Sequence, residues 1–246
     1  MIRRYKDLEA ISRAAAEIFV EEAADAVSAR GRFAVALSGG ETPRRLYNLL
    51  AESPIRENIE WKAVHVFWGD ERCVPDDDPR SNARMARLSL LDHVPLPSEN
   101  IHPITCDRPP QEAAVQYEAE IRTFFGTDAP AFDLVLLGLG DNAHTASIFP
   151  HTPVLDENDR WVAEVYVPEQ DMHRITLTAP VINQARQVLF LVSGPGKAGA
   201  LQQVLQGPFR PYDFPAQLIR TKAGQALWLV DRDAAGKLGL ALEESE

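Results

Sequence analysis

The sequence predicts an α/β fold in which a mainly parallel sheet carries helices on both faces. Short apolar runs alternate with segments of helical periodicity along the 246 residues. Strands that are buried on both faces give uninterrupted apolar runs, as in parallel sheets covered by helices. Four of these runs end in glycine-containing polar loops, and ligands bind at the carboxyl ends of strands in open α/β sheets. Because no repeat or linker divides the chain, we expect one Rossmann-like domain spanning 1–246.

The first half of the chain alternates predicted helices with buried strands. Residues 7–29 place apolar side chains at helical spacing, with Glu22 as a polar exception. The run "RFAVAL" (32–37) lies between two glycines and predicts a buried strand, and "AVHVFW" (63–68) predicts a second. The segment "GDERCVPDDDPRSN" (69–82) is predicted to be a polar loop. Further helices are predicted at 44–52, 83–93 and 109–125, the last with prolines at its start, where they are tolerated.

The second half supplies the remaining strands. The run "FDLVLLG" (132–138) predicts a third buried strand and "QVLFLVSG" (187–194) a fourth. Alternating residues in "WVAEVYV" (161–167) predict a half-exposed strand. The other predicted elements are a strand and short helix in 173–185, a helix in 197–207, and a strand and terminal helix in 226–238, before a frayed tail at 243–246.

Composition and charge exclude several classes of protein. The net charge is −11, which argues against a nucleic-acid partner, since binding to the phosphate backbone is driven by Lys and Arg. The basic N-terminal segment lacks the apolar core of a secretory signal, and no stretch approaches the ~20 apolar residues of a membrane span. Cys73 and Cys106 form no Cys-x-x-Cys pair, so we expect free thiols in a reducing compartment. The sequence therefore predicts a cytoplasmic protein with neither nucleic-acid nor membrane partners.

The loop "SGGET" follows the first buried strand and has two interpretations. Its two glycines allow close backbone approach to an anion, the next helix offers free N–H groups, and the two hydroxyl side chains add donors. A plain strand-to-helix turn, with Thr42 as N-cap and Pro43 as first helical residue, explains the same letters. The loop alone leaves these interpretations about even. The candidate anion-binding residues are Ser38, Gly39, Gly40 and Thr42.

The stretch "GLGDNAHTASIFP" (138–150) follows the third buried strand. Its first six residues match a loose dinucleotide-binding pattern, but Pro150 leaves no room for the long helix which that site requires. His144 instead lies at a strand end in a polar loop, and histidine is the commonest general acid or base. The histidine spacings indicate no metal site, and no Gly-x-Ser-x-Gly motif indicates a serine hydrolase. We therefore interpret His144 as a catalytic candidate.

Three cations in or near the loops remain ambiguous by themselves. Arg72 could bind a carboxylate or phosphate, or could pair with a neighbouring acidic residue. Lys197 lies in the first turn of a predicted helix, where a cation is unfavourable unless an anion binds nearby. Arg174 lies at the entrance of a strand, and its position favours neither a binding nor a structural role.

Taken together, the motifs resemble those of a known family. The segments "LSGGETPRRLY", "FWGDERCVPDDDPRSNARM", "GLGDNAHTASIFP" and "HRITLTAPVINQARQVLFLVSGPGKAGAL", followed by "PAQLIR" and "ALWLVDRDAA", are similar to successive motifs of 6-phosphogluconolactonases. The resemblance covers about residues 30–236. It implies hydrolysis of 6-phospho-D-glucono-1,5-lactone in the oxidative pentose phosphate pathway, without a cofactor, by a monomer or small homo-oligomer. A sugar-phosphate isomerase or deaminase of the same fold is the alternative, which "HTASIFP" disfavours because those enzymes often carry an "FNEP"-like stretch.

The resemblance also implies roles for the candidate residues. His144 would be the general base, and Arg72 would reach the sugar ring or its phosphate. The family commonly has Asp-Gly-His where this chain has Asn142-Ala143-His144, with Asp141 one place earlier. Whether Asn142, Asp141 or only water orients His144 therefore stays open. The phosphate of the lactone would lie against Ser38, Gly39, Gly40, Thr42, Arg174 and Lys197.

Overall fold

The computed structural model describes residues 1–126, 130–221 and 226–239. The tail at 243–246, which was expected to fray, lies outside these residues. The strands of the described part are β1 (Ile2–Tyr5), β2 (Phe33–Leu37), β3 (Val64–Trp68), β4 (Asp70–Arg72), β5 (Leu134–Leu137), β6 (Val162–Val167), β7 (Met172–Leu177), β8 (Gln187–Val192) and β9 (Leu227–Asp231). The helices are α1 (Leu8–Arg30), α2 (Glu41–Ala51), α3 (Asn82–Ser89), α4 (Pro110–Phe125), α5 (Ala179–Ile182) and α6 (Ala198–Gln206).

The central sheet confirms the predicted fold class. Its six strands are all parallel and lie in the order β1-β9-β8-β5-β2-β3. The four strands predicted from apolar runs are therefore neighbours, since β8, β5, β2 and β3 are consecutive in this order. Every residue of β2 and β5 is buried, as expected for strands covered by helices on both faces. The carboxyl ends of these four strands bring the four polar loops to one edge of the sheet.

The strand order reverses between β2 and β5. From β2 the chain moves outward to β3, whereas β5, β8 and β9 extend the sheet in the other direction. Such a reversal leaves a crevice at the carboxyl ends of the two strands, which is the usual ligand site of open α/β sheets. The loops beginning at Ser38 and Gly138 border this crevice.

A second, antiparallel sheet corrects the prediction for 69–82. Asp70–Arg72 form β4, in a three-stranded sheet with the order β4-β7-β6. The charged sequence of β4 gives no apolar signal, so its pairing with β7 was missed. The strand is stabilised by the Glu71 carboxylate, which accepts hydrogen bonds from the backbone N–H groups of Asn82 (2.8 Å) and Ala83 (2.7 Å) at the start of α3.

Two helix predictions are also corrected. Helix α2 begins at Glu41, three residues before the predicted start at 44, because Gly40 with a φ of 114° turns the chain directly into the helix. Thr42 is therefore inside the first turn and is not the N-cap. The terminal helix predicted within 226–238 is only a 3₁₀ turn, Ala234–Lys237. The edge strand β1 was not predicted, since its sequence "IRRY" places two adjacent arginines between its apolar residues and shows neither an apolar run nor an alternation.

The expectation of free thiols is wrong. Cys73 and Cys106 form a disulfide, with their Cα atoms 5.2 Å apart. The chain after β3 and the segment leading to α4 meet because His102 donates its backbone N–H to the carbonyl of Val66 (2.8 Å). A separation of 33 residues in sequence gave no indication of this contact. The inference of a reducing compartment, which rested on unpaired cysteines, loses that support.

No helix in the described ranges has the length and apolar character needed to cross a bilayer.

Candidate active site

A pocket of about 380 Å³ lies at the carboxyl edge of the central sheet, where the strand order reverses. Loops from β2, β5 and β8 line it, together with side chains from β4 and β7. Asp70, to which the sequence gave no functional role, also lines it. The pocket brings together eight of the residues predicted from sequence: Ser38, Gly39, Gly40, Thr42, Arg72, His144, Arg174 and Lys197.

A buried tyrosine of α2 holds the loop after β2 in place. The Tyr47 hydroxyl donates to the carbonyl of Ser38 (2.8 Å) and accepts from its N–H (3.0 Å). Gly39 is required by crowding, because a Cβ there would lie 1.7 Å from Oδ1 of Asn82. The first helical hydrogen bond of α2 runs from Arg44 N to Gly40 O, which leaves the N–H groups at the helix start available to an anion in the pocket.

Arg72 and Arg174 are directly opposite each other on the paired strands β4 and β7. Like charges in this arrangement repel each other and destabilise a strand pair. Arg174 is only 6% exposed, and its burial lowers its pKa from the usual value, with Asp70 acting in the opposite direction. An anion between the two guanidinium groups would relieve the repulsion.

Three buried polar atoms of the pocket have no hydrogen-bond partner in the described part of the chain. They are Oγ of Ser38, Nε of Arg72 and Nε of Arg174. An unsatisfied buried donor costs free energy, typically about 1–3 kcal/mol for each group, and native structures contain few of them. Their convergence on one pocket indicates a ligand rich in acceptor oxygens.

Arg174 is anchored at the ends of its guanidinium group. Nη2 donates to Oε1 of Gln170, and Nη1 lies 3.4 Å from Oγ of Ser147 and 3.6 Å from Oδ2 of Asp70. Ser147 in turn donates to the Asp70 carboxylate (2.7 Å). These contacts hold the side chain in the pocket while its Nε stays available.

His144 is positioned by the tight loop after β5. Gly140 N donates to His144 O (2.8 Å), and a Cβ at Gly140 would lie 2.0 Å from Nδ1 of His144, so only glycine fits. Ala143 has a φ of 61°, in the left-handed region that favours glycine. Oδ1 of Asn142 lies 2.5 Å from Nδ1 and 3.2 Å from the backbone N of His144. Because that backbone N–H can only donate, the oxygen of the amide faces it. Nδ1 therefore carries the proton, and the lone pair is on Nε2.

The imidazole is neutral at physiological pH. The pKa of His144 is lowered from 6.5 to about 4, chiefly by burial; the Asp70 carboxylate acts in the opposite direction, and the charges of Arg174, Lys197 and Arg72 contribute to the lowering. The uncharged ring can therefore accept a proton at Nε2 over the whole neutral range.

Asp141 does not take the place of the carboxylate that the family commonly has two residues before its histidine. Its side chain is 74% exposed and forms an ion pair with Nζ of Lys197, in the turn that precedes α6. Of the three alternatives left open by the sequence, the structure brings Asn142 into contact with the imidazole. No group of three or more His, Cys, Asp or Glu side chains in the described ranges is arranged to hold a metal ion.

Comparison with known proteins identifies the family. Residues 6–228 match the family model described as glucosamine-6-phosphate isomerases/6-phosphogluconolactonase. The chain belongs to this family. It is 47% identical over 218 residues to the 6-phosphogluconolactonase of Synechocystis sp., with 87% of this chain and 88% of the relative covered. It is 40% identical over 245 residues to that of Mycobacterium tuberculosis, covering 96% and 98%. The resemblance stated from the motifs, including the expectation of an enzyme of this family, is thereby confirmed.

Solved structures give the same result for the fold. The 6-phosphogluconolactonase from Trypanosoma cruzi is 30% identical and superposes with a TM-score of 0.86 over 97% of each chain. A monomeric glucosamine-6-phosphate deaminase superposes with a TM-score of 0.80 over 96% of this chain and 99% of its own, at 22% identity, and so shares the fold. The comparisons do not test the roles of the individual pocket residues, which stay predictions.

Sequence reasoning missed three residues of the site: Asp70, Phe149 and Gln170. Asp70 was considered only as an ion-pair partner for Arg72, and Phe149 was quoted within a motif without a role. The antiparallel pairing of β4 with β7 brings Asp70 opposite Thr176 and thus next to Arg174. No periodicity in the sequence indicates that pairing.

Proposed function

We propose that the protein hydrolyses 6-phospho-D-glucono-1,5-lactone to 6-phospho-D-gluconate, a reaction of the oxidative pentose phosphate pathway. The observation that carries the proposal is a single pocket that combines two buried arginine Nε donors without hydrogen-bond partners among the described residues with a neutral histidine whose Nε2 can accept a proton. The high identity to 6-phosphogluconolactonases over most of the chain supports the same substrate.

The phosphate of the substrate is assigned to the cationic side of the pocket. The glycine loop and the start of α2 offer N–H groups, and the hydroxyls of Ser38 and Thr42 add donors. Arg174 and Lys197 supply charge, and Lys197 exchanges its Asp141 partner for the phosphate. A charge-assisted hydrogen bond contributes about 1.5–3 kcal/mol, so a few such contacts are sufficient to select a phosphorylated sugar.

The chemistry is assigned to His144. Nε2 takes a proton from a water molecule, whose oxygen attacks the lactone carbonyl carbon. The tetrahedral oxyanion is stabilised by loop N–H groups or by the guanidinium group of Arg72. As the bond from the carbonyl carbon to the ring oxygen breaks, the imidazolium returns its proton to that oxygen, which becomes the hydroxyl of the open-chain acid. A base of low pKa is a strong acid once protonated, so this second transfer is favourable.

The experiment that tests this proposal measures loss of the lactone by the purified protein. We expect 6-phosphogluconolactone to disappear well above the spontaneous rate. Because the phosphate contacts are lost, the kcat/KM for unphosphorylated glucono-1,5-lactone should be at least about 100-fold lower than that for 6-phosphogluconolactone. A rate equal to the spontaneous one would remove the proposal. Equal use of the unphosphorylated lactone would contradict the assignment of the phosphate to this pocket.

The sugar-phosphate isomerase or deaminase activity of the same family remains the alternative. The Asp70 carboxylate, which lines the pocket together with His144, is the observation that favours it, since two proton-transfer groups suit ring opening and enolisation. Release of ammonia from glucosamine 6-phosphate, measured under the same conditions, separates the two activities. We expect lactone hydrolysis alone.

The role of Asn142 gives a prediction on pH dependence. With the pKa of His144 at about 4, kcat/KM is expected to rise with pH through that value and to be level above about pH 5. In Asn142→Asp a carboxylate beside Nδ1 favours the imidazolium and raises its pKa, so the acidic limb is expected to move upward by about one pH unit or more. The pH profile of kcat/KM measures this shift. Asn158→Asp, which adds a charge at an exposed position outside the pocket, is the matched control. An acidic limb that does not move in Asn142→Asp would contradict the assignment of His144 as a base in contact with residue 142.

A further inference from the structure

The imidazole of His144 lies against the ring of Phe149. The two ring centroids are 4.0 Å apart and the planes are inclined by 16°, which is a stacked arrangement. Phe149 is only 5% exposed. One face of the imidazole is thus covered by an apolar surface that excludes water.

The local sequence folds Phe149 back onto a residue five places earlier. Thr145 and Ile148 form an isolated antiparallel bridge, and Ile148 N donates to Thr145 O (2.9 Å). Ala146, inside this turn, has a φ of 47°. The Thr145 hydroxyl donates to Gly138 O (2.8 Å) and ties the turn to the end of β5. The reversal is therefore built into the backbone, and it returns the phenyl ring to the imidazole.

The stack supplies a restraint that the hydrogen bond does not. The contact between Nδ1 and Asn142 fixes one edge of the ring, but it permits the ring plane to tilt about that contact. A second aromatic ring lying flat against the imidazole fixes the plane. The direction of Nε2 is set by both restraints together.

We infer that Phe149 is the positioning residue of His144, holding the imidazole plane so that Nε2 faces the pocket. The catalytic consequence rests on the proposed function, because it assumes that Nε2 accepts the proton of the attacking water. The stack itself does not depend on that assumption.

The effect of Phe149 on His144 can be separated from the effects of the charged groups around the imidazole. They are Asp70 and Arg72 from β4, Arg174 from β7, and Lys197 from the turn before α6. A substitution at Phe149 leaves all of them in place. Arg174 also has its Cζ 5.2 Å from the Phe149 ring centroid, but Ser147 and Gln170 hold its guanidinium group independently. Substrate affinity should therefore change less than turnover.

The test compares Phe149→Leu with Phe132→Leu. Phe132 is also buried and precedes β5, at the opposite end of the strand from the pocket. For Phe149→Leu we expect kcat for 6-phosphogluconolactone to fall about tenfold or more, because small misplacements of a catalytic group are costly, with KM changed by less than about twofold. Phe132→Leu should leave kcat within about twofold of the parent. If Phe149→Leu does not fold, Phe149→Met, which keeps an apolar side chain of similar size without a planar face, replaces it.

A second readout does not need catalysis. In the NMR titration of His144, Phe149→Leu is expected to raise the pKa of the imidazole from its low value by about one unit, since water reaches a face that the phenyl ring covered. Stacking of imidazolium on a phenyl face has the opposite effect, but burial is the largest cause of the low pKa.

The outcomes separate the two proposals. An unchanged kcat together with an unchanged titration in Phe149→Leu would overturn the positioning role, and so would an equal loss of kcat in Phe132→Leu. If the parent protein does not hydrolyse the lactone, the proposed function fails, and the titration alone then decides for or against Phe149.

Discussion

His144→Ala is expected to lower kcat for 6-phosphogluconolactone by about 10²–10⁴-fold, the usual contribution of a positioned general base. KM should change little, because the phosphate contacts are assigned to other loops. The fold should be retained, since the side chain lines the pocket and Oδ1 of Asn142 keeps the backbone N–H of residue 144 as a donor. Steady-state rates, after subtraction of spontaneous hydrolysis, measure the effect.

The control for this prediction is His93→Ala. His93 is exposed and lies outside the pocket, with Nε2 near the carbonyl of Leu88 (2.9 Å). Its removal should leave both kinetic constants unchanged. A kcat for His144→Ala within twofold of the parent would show that another group activates the water.

Arg174→Ala is expected to act mainly on KM. The loss of a buried guanidinium group that binds the phosphate should raise KM by about 10–100-fold, as removal of a charge-assisted hydrogen bond does. The protein should also lose about 1–3 kcal/mol of unfolding free energy, because the buried Asp70 carboxylate loses the cation 3.6 Å away and, among the described residues, keeps the bond from Ser147 as its side-chain contact. Kinetics and denaturant unfolding measure the two effects separately.

Two comparisons sharpen this prediction. Arg13→Ala removes a guanidinium group from the exposed surface of α1 and should change neither KM nor stability appreciably. Lys197→Ala should raise KM less than Arg174→Ala, since Lys197 is more exposed and since Asp141 competes with the substrate phosphate for its ammonium group. A fall in kcat for Arg174→Ala at unchanged KM would contradict the assignment of Arg174 to phosphate binding.

The central part of the fold could be predicted from the sequence because its signal is local. Strands β2 and β5 are continuous apolar runs, β3 and β8 are apolar except for His65 and Gln187, and each of the four ends in a polar loop. Parallel strands that share a sheet bring such loops to one edge, so the meeting of Ser38, His144 and Lys197 followed from strand ends alone.

The rest of the site depends on tertiary contacts that no local pattern reveals. Strand β4 carries charged residues and exists because it pairs with β7 and because Glu71 accepts N–H groups from the start of α3. The choice of Asn142 over Asp141 depends on a left-handed φ at Ala143, which turns the loop and brings residue 142 to the imidazole. The disulfide between Cys73 and Cys106 likewise follows from the approach of two distant segments.

We propose that one pocket holds the phosphate against cationic side chains and the reacting carbon against His144. A crystal structure with the product, 6-phosphogluconate, tests it most directly. We expect phosphate oxygens within hydrogen-bonding distance, about 3.2 Å or less, of Arg174, Lys197 and Thr42, and the product carboxylate beside the imidazole of His144, with the hydroxyl formed from the ring oxygen donating to Nε2. A phosphate bound away from the Ser38–Thr42 loop, or a carboxylate remote from His144, would contradict it.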